Sequence, residues 1–125
     1  MTNQKGFTLI EIIAVLVILG ILAAVAVPRY LDMQGEARIK AAQAAIAEVK
    51  AQASQFYGKK LLRDGAPPTG AVVLASVTTT PDVGPDFSVE AAPGTGGNIL
   101  ITVNQVQGET LTPAQTGTWT YPIAF

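Results

Sequence analysis

Histidine and cysteine are both absent from this chain, which removes the usual residues of metal centres and of paired nucleophile and base. Chemistry is left to carboxylates, lysines and tyrosines, so an enzyme is the poorest functional reading. No catalytic residue, metal ligand or cofactor is assigned. Two groups of carboxylates stand out. Asp82 and Asp86 flank a Gly-Pro turn, which could be a calcium loop or a solvated acidic turn. The spacing lacks the dense oxygen ligands of calcium loops, so the solvated turn is the better reading. Glu11 is more telling, because it is the only charge in the apolar run Phe7–Val27, FTLIEIIAVLVILGILAAVAV. An ionised carboxylate within a membrane span costs on the order of 2.5–3.5 kcal/mol. Glu11 therefore either reaches the interface near the end of the segment or meets a cation on a partner.

The element that carries Glu11 sets the organisation of the chain. As a helix, Phe7–Val27 would be about 30 Å long, the thickness of a bilayer's hydrocarbon core. A helix apolar all round belongs in lipid or among other helices. Lys5 precedes it in a short polar leader, MTNQKG, which predicts a cytoplasmic N-terminus and an exported C-terminus. Two processing fates follow. Ala24-Val25-Ala26 fits the small-x-small pattern of signal-peptide removal, but the apolar run is longer than such signals and carries Glu11. Cleavage between Gly6 and Phe7 would instead keep the segment in the mature protein. Within the segment, Gly20 weakens a helix by about 1 kcal/mol relative to Ala. Pro28 lacks an N–H and crowds the carbonyl of Ala24, which costs about 3 kcal/mol in a helix interior. A kink with a packing glycine is what these residues predict.

Taken together, GFTLIEIIAVLVILGILAAVAVPRY resembles the N-terminus of type IV pilins and pseudopilins. The basic leader ends in Gly6, Phe7 follows, and a glutamate stands four residues further on at Glu11. The resemblance covers about residues 1–35 and is specific to that combination. It implies a dedicated membrane peptidase that cuts after Gly6 and methylates the new amine of Phe7. It implies a contact between Glu11 of one subunit and the Phe7 amine of another, which would set the register of assembly. It also implies local melting of the Gly20–Pro28 stretch on assembly. The six-residue leader is similar to the short-leader class.

After Pro28 the pattern becomes amphipathic. Ile39, Ala42, Ile46, Val49, Ala53 and Phe56 recur at steps of three and four and form one stripe. One helix is expected from Phe7 to about Tyr57, ended by Gly58 or Gly65. Its first half, residues 7–27, is the membrane and assembly segment. Residues 28–57 are an amphipathic half whose stripe packs on the head; a short coiled coil is the alternative. Residues 58–125 would form the head. Pro and Gly punctuate residues 58–86, and Val72–Val77 reads equally as strand or short helix. Phe87, Val89 and Ala91 alternate, Pro93–Gly97 turns the chain, and Ile99, Ile101 and Val103 alternate again, a hairpin signature. A third strand is expected through Trp119, Tyr121 and Ile123 to Phe125, after a loop holding Gly108 and Pro113. The fold class is thus α+β, a long N-terminal helix packed on an antiparallel sheet of three or four strands. Without cysteine, the C-terminal loop must be held by packing and hydrogen bonds. Trp119 and Tyr121 could be adhesive or structural. Tyr30, Phe56 and Tyr57 are too few for an electron path and read as stem packing.

All eight Lys and Arg lie at or before Arg63, and no base follows. Beyond it stand Asp64, Asp82, Asp86, Glu90 and Glu109. The asymmetry is either incidental surface charge or an attraction of one copy's head for another's stem. The acidic head argues against nucleic-acid binding, which needs a basic patch. The leading expectation is a structural homo-oligomer, the major subunit of an extracellular pilus. Its partners would be a prepilin peptidase and methyltransferase, an inner-membrane assembly platform and a cytoplasmic ATPase. The precursor would sit in the inner (cytoplasmic) membrane. Alternatives are a major pseudopilin of a type II secretion system, a monomeric membrane-anchored binding module, or a soluble domain released after Ala26.

Overall fold

A computed structural model describes residues 5–78 and 81–122. The expected strand residues Ile123 and Phe125, and leader residues 1–4, lie outside that range. The elements are α1 (Leu9–Asp64), α2 (Gly70–Thr78), β1 (Phe87–Pro93), a 3₁₀ turn (Thr95–Gly97), β2 (Ile99–Val106) and β3 (Glu109–Trp119). The fold is α+β, a long N-terminal helix with a three-stranded antiparallel sheet in the order β1-β2-β3. The chain divides into two compact units, Met1–Glu36 and Ala37–Phe125.

In the first unit the helix runs without interruption through Gly20 and Pro28. Its apolar side chains from Phe7 to Met33 are exposed all round, and none is buried. This segment makes α1 long and apolar enough to cross a membrane.

The second unit holds the core. Ala42, Ala45, Ile46, Val49 and Ala53 of α1 are buried against Val73 and Val77 of α2, Ile99, Ile101, Val103 and Val106 of β2, and Leu111 and Trp119 of β3. On α1 the buried positions follow the predicted stripe, widened by Ala45; the alanines allow close approach. At Gly117 of β3 a Cβ would run into the Ile46 methyl, so only glycine lets that strand lie against α1 as it does. The helix passes Gly58 and ends at Gly65, where φ is +68° and the N–H donates to the Leu61 carbonyl at 3.0 Å. That left-handed residue is what a helix C-terminus recruits glycine for. Val72–Val77 is helical, part of α2, with Val73 and Val77 on its buried side. Pro67 and Pro68 precede it, and the Thr69 carbonyl accepts its first N–H bonds.

The hairpin forms where alternation placed it, with Pro93 paired to Ile99 across the turn. The register then steps over Asn104 on both sides of β2. One unpaired residue reverses the inward parity, which is why Val106, and not Gln105, points into the core. The third strand differs from the expectation. It begins at Glu109 and ends at Trp119, so Tyr121 falls beyond it and Pro113 lies inside it, in a stretch without partners in β2. Gln107 and Gly108, both at positive φ, form a tight two-residue connection of the kind that joins antiparallel strands.

The chain after β3 is fastened by aromatic rings and hydrogen bonds. Trp119 is 5% exposed, and its indole N–H donates to Ser54 Oγ at 2.9 Å. Tyr57, Trp119 and Tyr121 stack pairwise, with centroids 5.7–6.2 Å apart. The Tyr121 hydroxyl donates to the Pro68 carbonyl at 2.9 Å, and its backbone N–H donates to Asn98 Oδ1 at 2.8 Å. Such offset and edge-on rings add to what area burial alone contributes. Trp119 is therefore a packing residue.

Candidate functional site

The residues singled out for processing and assembly lie at the start of α1. Gly6 and Phe7 precede the helix, and Phe7 is 85% exposed, so the peptide bond between them stands free of packing. Thr8 and Glu11 then close the helix N-terminus reciprocally. The Thr8 N–H donates to Glu11 Oε2 at 3.0 Å, and the Glu11 N–H donates to Thr8 Oγ1 at 3.3 Å. The Thr8 carbonyl accepts the first helical bond, from the Ile12 N–H at 3.3 Å. This is a capping box. It satisfies two N–H groups that otherwise have no partner, and it holds a carboxylate where the helix dipole is positive. The signal T-x-x-E is present in the string TLIE, but reading Glu11 as an interface residue or as a partner for another chain misses it.

Four lone-pair sites on a carboxylate leave Glu11 able to take a further donor beside Thr8. Gly20 lies on an exposed helix, and a Cβ there would meet nothing. Packing within one copy therefore does not explain why a glycine stands at that position. Of the stripe residues, Ala42, Ile46, Val49 and Ala53 are buried and Phe56 packs half-buried against the core. Ile39 is 37% exposed and does not belong to the buried set. Asp82 and Asp86 are exposed, and no group of three acidic residues gathers around them among the described residues.

A long apolar helix entered through a capping box, with a three-stranded antiparallel sheet after it, is consistent with the pilin fold. Residues 1–27 match the prokaryotic N-terminal methylation motif. The chain is 34% identical to the fimbrial protein EcpC of Eikenella corrodens over 114 residues, which cover 86% of this chain and 72% of that protein. It is 38% identical to a fimbrial protein of Pseudomonas aeruginosa over 69 residues, 54% of this chain and 45% of the relative. It is 45% identical to the type IV major pilin protein PilE1 of Neisseria gonorrhoeae over 56 residues, 45% of this chain and 34% of the relative. The chain thus spans less than half the length of the Pseudomonas and Neisseria proteins it matches. No solved structure gives a significant match. On the motif and on the similarity to the Eikenella protein, which covers more than two thirds of both chains, the chain belongs to the type IV pilin family.

Proposed function

We propose that this chain is a structural subunit of an extracellular type IV pilus filament. As a precursor it sits in the inner membrane through residues 7–27. A prepilin peptidase hydrolyses the Gly6–Phe7 bond, and methylation of the freed amine leaves it cationic. The observation that carries the reading is the exposed apolar helix from Phe7 to Met33, opened by Thr8 and Glu11. Among the described residues none of its apolar side chains is buried, whereas neighbouring helices of a bundle would replace lipid around it. Gly20, Ala23, Ala24 and Ala26 permit close helix approach. Glu11 of one subunit then neutralises the Phe7 amine of the next, which makes loss of lipid tolerable only in the correct register. Force for extraction comes from a separate cytoplasmic ATPase acting through an inner-membrane platform.

Intact-mass measurement with N-terminal fragmentation, on protein sheared from the cell surface, tests this directly. The expected product begins at Phe7 and carries one added methyl group. A chain beginning at Val27 would mean a secreted domain, and an uncleaved chain found only in membranes would mean a simple anchored module.

A further inference from the structure

We propose that a second copy of this chain docks its Asp82–Asp86 loop over Phe56, between Lys59, Lys60 and Arg63 of the first. The inference rests on the filament reading and identifies a contact between heads in it. Phe56, Lys59, Lys60 and Arg63 line an open depression of about 490 Å³ near the end of α1. Their spacing of three and four residues puts them on one helix face. Three cations there face one acid. Asp64 takes Lys60 Nζ at 2.6 Å and Arg63 Nε at 2.8 Å, whereas Lys59 has no ion pair among the described residues. The groove is apolar at its floor and keeps a positive excess at its rim.

The Asp82–Asp86 loop carries the complement. The Asp82 carbonyl accepts a hydrogen bond from Gln52 Nε2 at 3.1 Å, and the Asp86 carbonyl accepts one from the Gln107 N–H at 2.6 Å. Val83 packs against the core between them, and Pro81 and Pro85 restrict the backbone. The backbone is anchored while both carboxylates are exposed and without an ion pair among the described residues. Little conformational freedom is therefore lost when they meet a partner. Glu109 adds a third charge at that end of the sheet, because Phe87, Val106 and Glu109 lie side by side in register. With no base after Arg63, and with Lys5 in the leader that cleavage would remove, a second processed copy offers these acids side-chain cations only from α1. The two patches share no residue, although Gln52, which holds the Asp82 carbonyl, stands one turn before Phe56 on the same face of α1. In a filament the contact repeats head to tail, the acidic loop of each copy meeting the groove of the next.

The test uses the full chain in cells. Lys59→Glu and Asp82→Lys are each expected to lower the yield of sheared filaments by about tenfold at moderate salt. The paired exchange should restore it to within about twofold, as complementary charges across an interface do. Single-cysteine chains, Lys59→Cys and Asp82→Cys, expressed together should give oxidised dimers in filaments that neither gives alone; the natural chain has no cysteine to confuse the result. Normal filament yield from both charge variants would overturn the proposal, and so would absence of mixed dimers in normal filaments. A doubly substituted Lys59→Cys/Asp82→Cys chain that closes only on itself would also overturn it, by placing the contact within one copy. Wild-type protein that never leaves the membrane would instead remove the filament reading beneath it.

Discussion

Glu11 carries an observed helix cap and a proposed contact between copies on one carboxylate, and a single substitution separates the two. Within a copy it accepts the Thr8 N–H; between copies it is proposed to neutralise an amine. A glutamine at this position retains the capping oxygen but loses the charge. Glu11→Gln is therefore expected to insert, to be cleaved after Gly6, and to keep its helical N-terminus by amide exchange, yet to give few filaments. Full filament yield from this variant would leave Glu11 with only its capping role. Gly65 shows the converse case, a residue chosen for backbone conformation alone, since a Cβ there meets no neighbouring atom.

The element scale is where pH acts. At the C-terminus of α1, hydrogen bonds from Arg63 and Lys60 hold the Asp64 carboxyl down to about 2, below its ordinary 3.8. The same contact raises the Arg63 guanidinium. A carboxyl lowered on folding stabilises the folded helix end above its unfolded value, and that stabilisation fades as pH falls through the folded value. Asp64 is thus expected to stay ionised well below its ordinary range and to protonate only near pH 2, which weakens its bonds to Lys60 and Arg63. Asp64 is solvent-exposed, so the loss is local and salt weakens it further. Carboxyl chemical shifts followed by NMR would show it, and Lys60→Ala with Arg63→Ala should return Asp64 to the ordinary range.

At the scale of the whole molecule, the head depends on how closely β3 lies against α1. A valine at Gly117 would collide with the Ile46 methyl, while the nearby Lys50 side chain, 3.2 Å from such a Cβ, can swing away. Ile46 is branched and buried and cannot. Gly117→Val is expected to lower the stability of the head by about 1–3 kcal/mol. Denaturant unfolding of the detergent-solubilised chain, followed by the fluorescence of Trp119, its only tryptophan, would measure this. An unchanged midpoint would mean that the strand and helix are not tightly docked there.

Local pattern was enough for whatever depends on residues a few positions apart. The apolar run Phe7–Val27, the stripe Ala42–Ile46–Val49–Ala53 and the β1–β2 hairpin all follow from periodicity, because burial on one face of a helix or strand imposes its period on neighbouring residues. The T-x-x-E cap was equally local. Tertiary structure decided what rests on distant partners. Val72–Val77 became a helix because Val73 and Val77 face the core, and local signals left open whether Gly58 or Gly65 ends α1. The inward turn of Val106 depends on Asn104 dropping out of register between two strands. Trp119, Ser54, Tyr57, Pro68, Asn98 and Tyr121 meet across most of the head. Each of those contacts closes a long loop of chain, and no local preference of a residue encodes which distant side chain it will meet.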